Sequence, residues 1–340
     1  MSIHWGGRGA GHVSRWSLAT TGAPALALDF ITTTSLDSRI TFTRASTATF
    51  VGSNGLIQSA AINAPRFDYD PVTLAPKGLL IEQAKTNLFL NSLINGTVLS
   101  TQSVTVTAAA HTISFYGTGT ITLSGAATAT VVGTGVYPSR QTLTFTPIAG
   151  VLVCTVSGSV QYAQIEVGSF ATSFIPTGGS TVQRSADVAT ITGTNFSSWY
   201  NQSEGTLVFE GSTFKPTTVS PSANVAVEAN DGTLNNRNLI QYFNNVASAQ
   251  TTTLGSVVST ISQTYIASAT DKLAYAYKTN DFAFARNGAL VGTDTLGNVP
   301  VVNRLALGNY QGQAFLNGHI RQITYYNTRL LNPQLQTLTQ

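Results

Sequence analysis

Charge is what this 340-residue chain has least of. It carries 17 Lys and Arg against 14 Asp and Glu, 9% of its residues, where soluble domains carry roughly 25%. The net charge of +3 is spread thinly, and no block of Lys or Arg forms the clustered cations of a nucleic-acid groove. Disorder is excluded as well: disordered chains combine low hydrophobicity with high charge, whereas 42% of this chain is hydrophobic. Cysteine occurs once, at Cys154 in the apolar run GVLVCTVSG. An internal disulfide is therefore impossible, and the setting is that of a buried thiol rather than a nucleophile. No window approaches the ~20 apolar residues of a membrane helix, and the start of the chain has no long apolar stretch typical of a signal peptide. These absences point to a reducing cytoplasm, or a particle released from it, with no membrane insertion. His4, His12, His111 and His319 are scattered without metal-ligand spacing. No Gly-x-Ser-x-Gly elbow occurs. No catalytic residue, metal or cofactor is assigned.

What fills the chain instead is Thr, Ser, Ala, Gly and Val. Threonine suits a pleated surface because its branched Cβ is stiff, so the fold class is all-β with a neutral surface of hydroxyls and amides. Short strands recur about every ten residues from SVTVTA to QYAQIEVG, the spacing of a sandwich or jelly roll. A second series runs from GTLVFEGSTF to GHIRQITYY. Within it AYAYKTNDFAFARNG predicts a hairpin that sets Tyr277 against Phe282 and Tyr275 against Phe284. NPQLQTLTQ is the one helix-like piece, with Asn332 as cap and Pro333 in the first turn. The reading divides the chain into an extended N-terminal arm (1–60) and two β-sandwich domains (61–190 and 191–340).

Three groups of residues stand out. The first, GGRGAGH with its flanks, holds Trp5, Arg8, Arg15 and Trp16, has no period and contains no acid. It is either a loose tail or an arm ordered on another subunit, anchored by its tryptophans. The second, PRFDYDPVTLAPKGLLIEQAKTNLFLNS, gathers Arg66, Asp68, Asp70, Lys77, Glu82 and Lys85. Asp68 and Asp70 are two apart in a strand pattern and so share a face. Ion pairing at a structural crossing point, a cation site and a glycosidase pair are all open to them. Calcium needs ~6–8 oxygen ligands and few others are near; unpaired buried charge is costly, which favours ion pairing. The third is the oxygen-rich loop EANDGTLNNRN, with Asp231, Asn235 and Asn236, together with Tyr310 and Gln311 in GNYQGQ. It suits a glycan, or Ca²⁺, or simply an Asn-Asp-Gly turn.

Several longer stretches resemble a known group. ITFTRASTATF, GLI, APRFDYDPVT and KGLLIEQAKTNL together resemble a module of bacteriophage virion proteins of the tail-fibre, tail-spike and head-decoration type. IEVGSFATSFIPTGGSTVQRSADV is similar to the end of a carbohydrate-binding-type sandwich. LALGNYQGQAFLNGHIRQITYYNTRLLNPQLQTLT resembles the last strands of a concanavalin A-like or laminin-G-like domain. These stretches are scattered over residues 29–340. The resemblance implies a virion component, assembled in the host cytoplasm, commonly a homotrimer in contact with other virion proteins and often aimed at bacterial surface polysaccharide. Its N-terminal arm would dock on the particle.

Overall fold

A computed structural model describes residues 22–92, 99–214, 223–243, 245–264 and 270–340. The expected docking residues Trp5, Arg8, Arg15 and Trp16 lie outside them. The described chain is nearly all antiparallel β-structure, as its threonine-rich alternation predicts.

Two sheets form a large sandwich. One has eight strands, in the order Ala289–Asp294, Asp281–Arg286, Asp271–Lys278, Glu204–Thr213, Gly318–Tyr326, Pro76–Ile81 and Phe67–Tyr69. The eighth strand, Leu26–Asp29, pairs with Gly318–Tyr326 beyond the stretch that Pro76–Ile81 occupies. The facing sheet has seven strands: Thr41–Thr43, Val188–Thr192, Arg304–Leu307, Asn224–Asn230, Arg237–Phe243, Val246–Thr253 and Ser256–Thr264. Alternate residues turn inward. Leu207, Phe209, Tyr275, Tyr277 and Ile323 of one sheet meet Ile191, Val227, Ile240, Leu305 and Leu307 of the other. Each such side chain contributes roughly 1.5–3 kcal/mol on burial. Tyrosine is tolerated at this depth because its hydroxyl finds a partner: Tyr277 donates to Tyr200 at 2.8 Å, and Tyr275 lies 2.7 Å from Thr251 Oγ1.

A smaller sandwich is built from the short strands between residues 102 and 167. Ala129–Val132, Thr120–Gly125, Gly150–Ser157 and Gln102–Val106 make one sheet; Gln141–Phe145, His111–Tyr116 and Gln161–Val167 make the other. Phe115, Ile121, Leu152, Cys154 and Ile165 fill the space between them. All seven strands fall where the ten-residue spacing predicts. So does the 271–286 hairpin, in which Tyr275 pairs with Phe284 and Tyr277 with Phe282.

The sheets divide the chain otherwise than at residues 60 and 190. Leu26, Leu28 and Phe30 are buried in the large core, so the chain is built into the sandwich well before residue 60. Phe67, Leu79 and Ile81 belong to the same core. The small sandwich is thus inserted between strands of the large one, and the two-stranded pairing of Lys85–Asn87 with Val182–Arg184 closes its base. The reason is topological: a buried apolar strand joins whichever sheet has an open edge, and its sequence does not say which. The C-terminal helix, Asn332–Leu338, also starts differently. Leu331 is its N-cap, and the Gln334 side chain accepts the Leu331 N–H at 2.8 Å, in place of a cap by Asn332.

Candidate functional site

The charges of the 65–92 stretch are sorted by the fold into separate jobs. Arg66 Nη1 lies 2.8 Å from Glu82 Oε2, both fully buried, and Arg66 also binds Asp187. Arg184 binds Glu82, and Arg44 reaches Asp187 at 3.0 Å. Glu82 further accepts the Ser173 N–H at 2.7 Å and its hydroxyl at 2.6 Å. Burial pushes the Glu82 carboxyl up, but Arg184, Arg66 and Ser173 outweigh it and hold it down at about 2. This network pins four stretches of chain, around 44, 66, 82 and 184, against the 173 connection to the small sandwich. Of the charges expected at a crossing point it holds Arg66 and Glu82, with Arg44, Arg184 and Asp187 as members unforeseen in the sequence.

Asp68, Asp70 and Lys85 stand apart from that network. The strand ends at Tyr69, and Asp70 lies in the turn beyond it, so the two aspartates do not form a same-face pair. Asp70 accepts the N–H groups of Val72 and Thr73 at 3.0 and 2.9 Å, and Lys77 lies 3.5 Å away. Those backbone bonds, Thr73 first, hold its carboxyl near 2. Lys85 donates to the Val167 carbonyl, and its ammonium lies 5.3 Å from the Phe170 ring. Asp68 accepts the Val51 N–H at 2.7 Å, and its other oxygen lies 2.8 Å from His319 Nε2. The strand between them makes this possible: Gly78 stands opposite Asp68, and Leu80 opposite His319. Gly78 has φ +108° and lies so close to the next strand that a Cβ would fall 2.2 Å from the Ile320 carbonyl.

Asp68 and His319 form one wall of a cleft of about 200 Å³ between the two sandwiches. Leu80 and Phe214 continue that wall; Val51 and Ile57 of the Ala48–Val51/Ile57–Ala60 hairpin form a second; Tyr116, Arg140 and Phe174 form a third. Tyr116 ends the His111–Tyr116 strand and starts an aromatic row: Tyr137 lies 5.3 Å away, Tyr162 6.0 Å away, and Phe174 5.1 Å beyond Tyr162. Tyr137 ties the row to the hairpin by donating to the Gly55 carbonyl at 2.7 Å. The Arg140 guanidinium lies 5.9 Å from the Tyr116 ring. It is fixed by bonds of 2.7 Å to the Thr172 carbonyl and 2.7 Å to Ser114 Oγ. An opening lined by aromatic side chains and fixed polar groups is suited to ligands that are part apolar and part hydroxylated. Of its residues, only Asp68 and Glu82 stand out in the sequence. His319, Arg140 and Tyr116 do not, because the spacing between them is set by sheet topology alone. One signal was present: in so neutral a chain, the isolated charges of TRAS and QRSAD mark Arg44, Arg184 and Asp187.

Asp231, Asn235, Asn236, Tyr310 and Gln311, read in the sequence as a glycan site, lie at one end of the seven-stranded sheet, where each is engaged by a local partner. Asp231 accepts from Thr233 N–H at 2.8 Å, Thr233 Oγ1 at 2.7 Å and Asn236 Nδ2 at 2.8 Å. Gly255 N–H donates to the Asn235 carbonyl at 2.9 Å. Gln311 donates to the Gly232 carbonyl. Tyr310 is half-buried, its ring 5.6 Å from the Arg237 guanidinium. Saturated in this way, the loop has the geometry of a turn. Among the described residues, no three of His, Cys, Asp and Glu gather as a metal-binding group, and no helix is long and apolar enough to cross a membrane.

No protein-family model matches the chain, and no curated protein sequence matches it. Solved structures share part of its course. The Ruminococcus gnavus IT-sialidase CBM40, bound to α2,3-sialyllactose, aligns over 41% of this chain and 83% of its own, with 17% identity and a TM-score of 0.34. The NanB sialidase of Streptococcus pneumoniae aligns over 44% of this chain and 26% of its own, with 15% identity and a TM-score of 0.37. A botulinum neurotoxin type C structure aligns over 45% and 39%, with 11% identity and a TM-score of 0.36.

Proposed function

We propose that this chain is a structural and adhesive component of a bacteriophage particle, of tail-fibre or tail-spike type, that binds bacterial surface glycan in the cleft between its two sandwiches. One observation carries the glycan reading. The aromatic side chains of Tyr116, Phe174 and Phe214 line an opening of about 200 Å³ together with the polar groups of Arg140, Asp68 and His319. A sugar offers C–H faces for the rings and hydroxyls for the polar groups. The particle reading is supported by the resemblance of the segments across residues 29–340 and by the scarcity of charge, which suits a permanently assembled subunit better than a free one. A homotrimer, contact with other virion proteins, and location in the virion after assembly in the host cytoplasm belong to the same reading. Binding without turnover is favoured over depolymerisation. Glycosidases use two carboxyl groups about 5–10 Å apart around the sugar, whereas Glu82 in this cleft is tied to two arginines and Asp70 serves its own turn.

Probing an array of bacterial surface oligosaccharides with the full chain tests the glycan reading. Binding is expected to fall at least tenfold in Tyr116→Ala and to survive in Tyr310→Ala, which lies at the other loop cluster. A blank array, with particles that still assemble, would leave a purely structural role such as head decoration. Sedimentation of the purified chain tests the trimer.

A further inference from the structure

We propose that the cleft selects glycans that carry an anionic group, and that Arg140 is the residue that receives it; this inference rests on the glycan reading of the cleft. Every carboxylate of the cleft is already engaged. Asp68 is shared between Val51 N–H and His319, and Glu82 is held by Arg66, Arg184 and Ser173. Arg140 is different. Among the described residues it forms no ion pair, and both of its hydrogen bonds go to neutral acceptors, the Thr172 carbonyl and Ser114 Oγ. Such bonds fix the plane of a guanidinium without cancelling its charge. Nε is buried and has no partner among the described residues. The Tyr116 ring lies to one side, so the group is rigid and directed, and each Nη keeps a second N–H to donate.

The buried network behind Glu82, which lines the cleft, adds to the same sign. Arg44, Arg66 and Arg184 form their ion pairs there with only Glu82 and Asp187, an excess of one positive charge. A cation in a partly enclosed opening acts more strongly than one on an open surface, because less water screens it. The matching ligand is an oxyanion fixed to a sugar ring, a carboxylate or a sulfate. A guanidinium binds either through parallel N–H bonds of charge-assisted strength.

Calorimetric titration of the full chain with two pairs of probes separates these sources: trigalacturonate against its methyl ester, and a sulfated trisaccharide against its desulfated form. The anionic member of at least one pair is expected to bind about tenfold more tightly. That preference should shrink in 0.5 M NaCl and vanish in Arg140→Gln, while the neutral member binds wild type and variant alike. Arg140→Lys, which keeps the charge without the fork, should retain part of it and serves if the Gln variant does not fold. Equal affinity for both members of each pair, or a preference that persists without Arg140, overturns this inference and leaves glycan binding standing. Failure of all four probes to bind overturns the glycan reading of the cleft, and the inference falls with it.

Discussion

Glu228 is the residue least at home in its surroundings. Its neighbours Val227 and Ala229 point into the large core, so Glu228 points to the outer face of the seven-stranded sheet, between Leu239 and Ala306. It is fully buried, and neither carboxylate oxygen has a hydrogen-bond partner among the described residues. Burial raises its pKa to about 8, with Asp231 adding to the rise and Arg237 opposing it. The sign of the linkage follows: the stabilisation is full below the ordinary value of 4.5, shrinks as the unfolded chain ionises first, and is gone by about pH 8. Glu228→Gln removes the titration. It is expected to stabilise the protein by on the order of 2 kcal/mol at pH 8 and hardly at all at pH 4, read from urea unfolding at the two pH values. Cys154 shows the opposite case, a residue at home. Burial alone lifts its thiol to about 12. It should resist a thiol reagent at pH 8 in the native protein and react only after denaturation; rapid native labelling would contradict its burial.

Single elements reveal why so few charges suffice. Asp187 receives Arg44 and Arg66 through its two oxygens and also the Glu82 N–H at 2.9 Å. Asp187→Asn leaves two buried guanidinium groups short of a counter-charge and is expected to cost about 3–5 kcal/mol, measured by chemical unfolding. The acid side is set by Glu82, whose lowered pKa stabilises the fold fully above the ordinary carboxylate value of 4.5 and is lost as pH falls towards 2. Acid unfolding in that window is therefore expected, and a fold indifferent to pH from 5 to 2 would contradict the network. Much at this scale is legible in sequence. The period of two and the glycine spacing locate the seven strands of the small sandwich, and the aromatic alternation gives the hairpin register of Tyr275 and Tyr277 to the residue. The same-face pairing of Asp68 with Asp70 fails because the strand ends at Tyr69 and Asp70 already caps the turn that follows, and the alternation of Phe-Asp-Tyr-Asp carries no mark of so early an end.

At the scale of the molecule, the first described strand and the last one are neighbours. Leu26–Asp29 pairs with Gln322–Tyr325, and Leu26, Leu28 and Phe30 enter the core beside Tyr325 and Ile323. Deleting residues 1–30 removes those three side chains and exposes the edge of a strand. The expected loss is on the order of 5 kcal/mol, read as a lower unfolding midpoint, together with a greater tendency to aggregate. Insertion of the small sandwich between strands of the large one has a second consequence. The cleft exists only where both are present, so neither sandwich alone should bind the ligand of the whole chain.

The amino-acid order determined by itself what is local. Threonine and valine alternation specifies strands, glycine and Asn-Gly specify turns, the single cysteine rules out an internal disulfide, and the few charges mark where burial must be paired. Only tertiary structure decided which strand edges meet, and with them the partners of Asp68, Arg140 and Asp187. Those partners come from stretches far apart along the chain, and the free energy that selects one strand pairing over another belongs to the packed core as a whole.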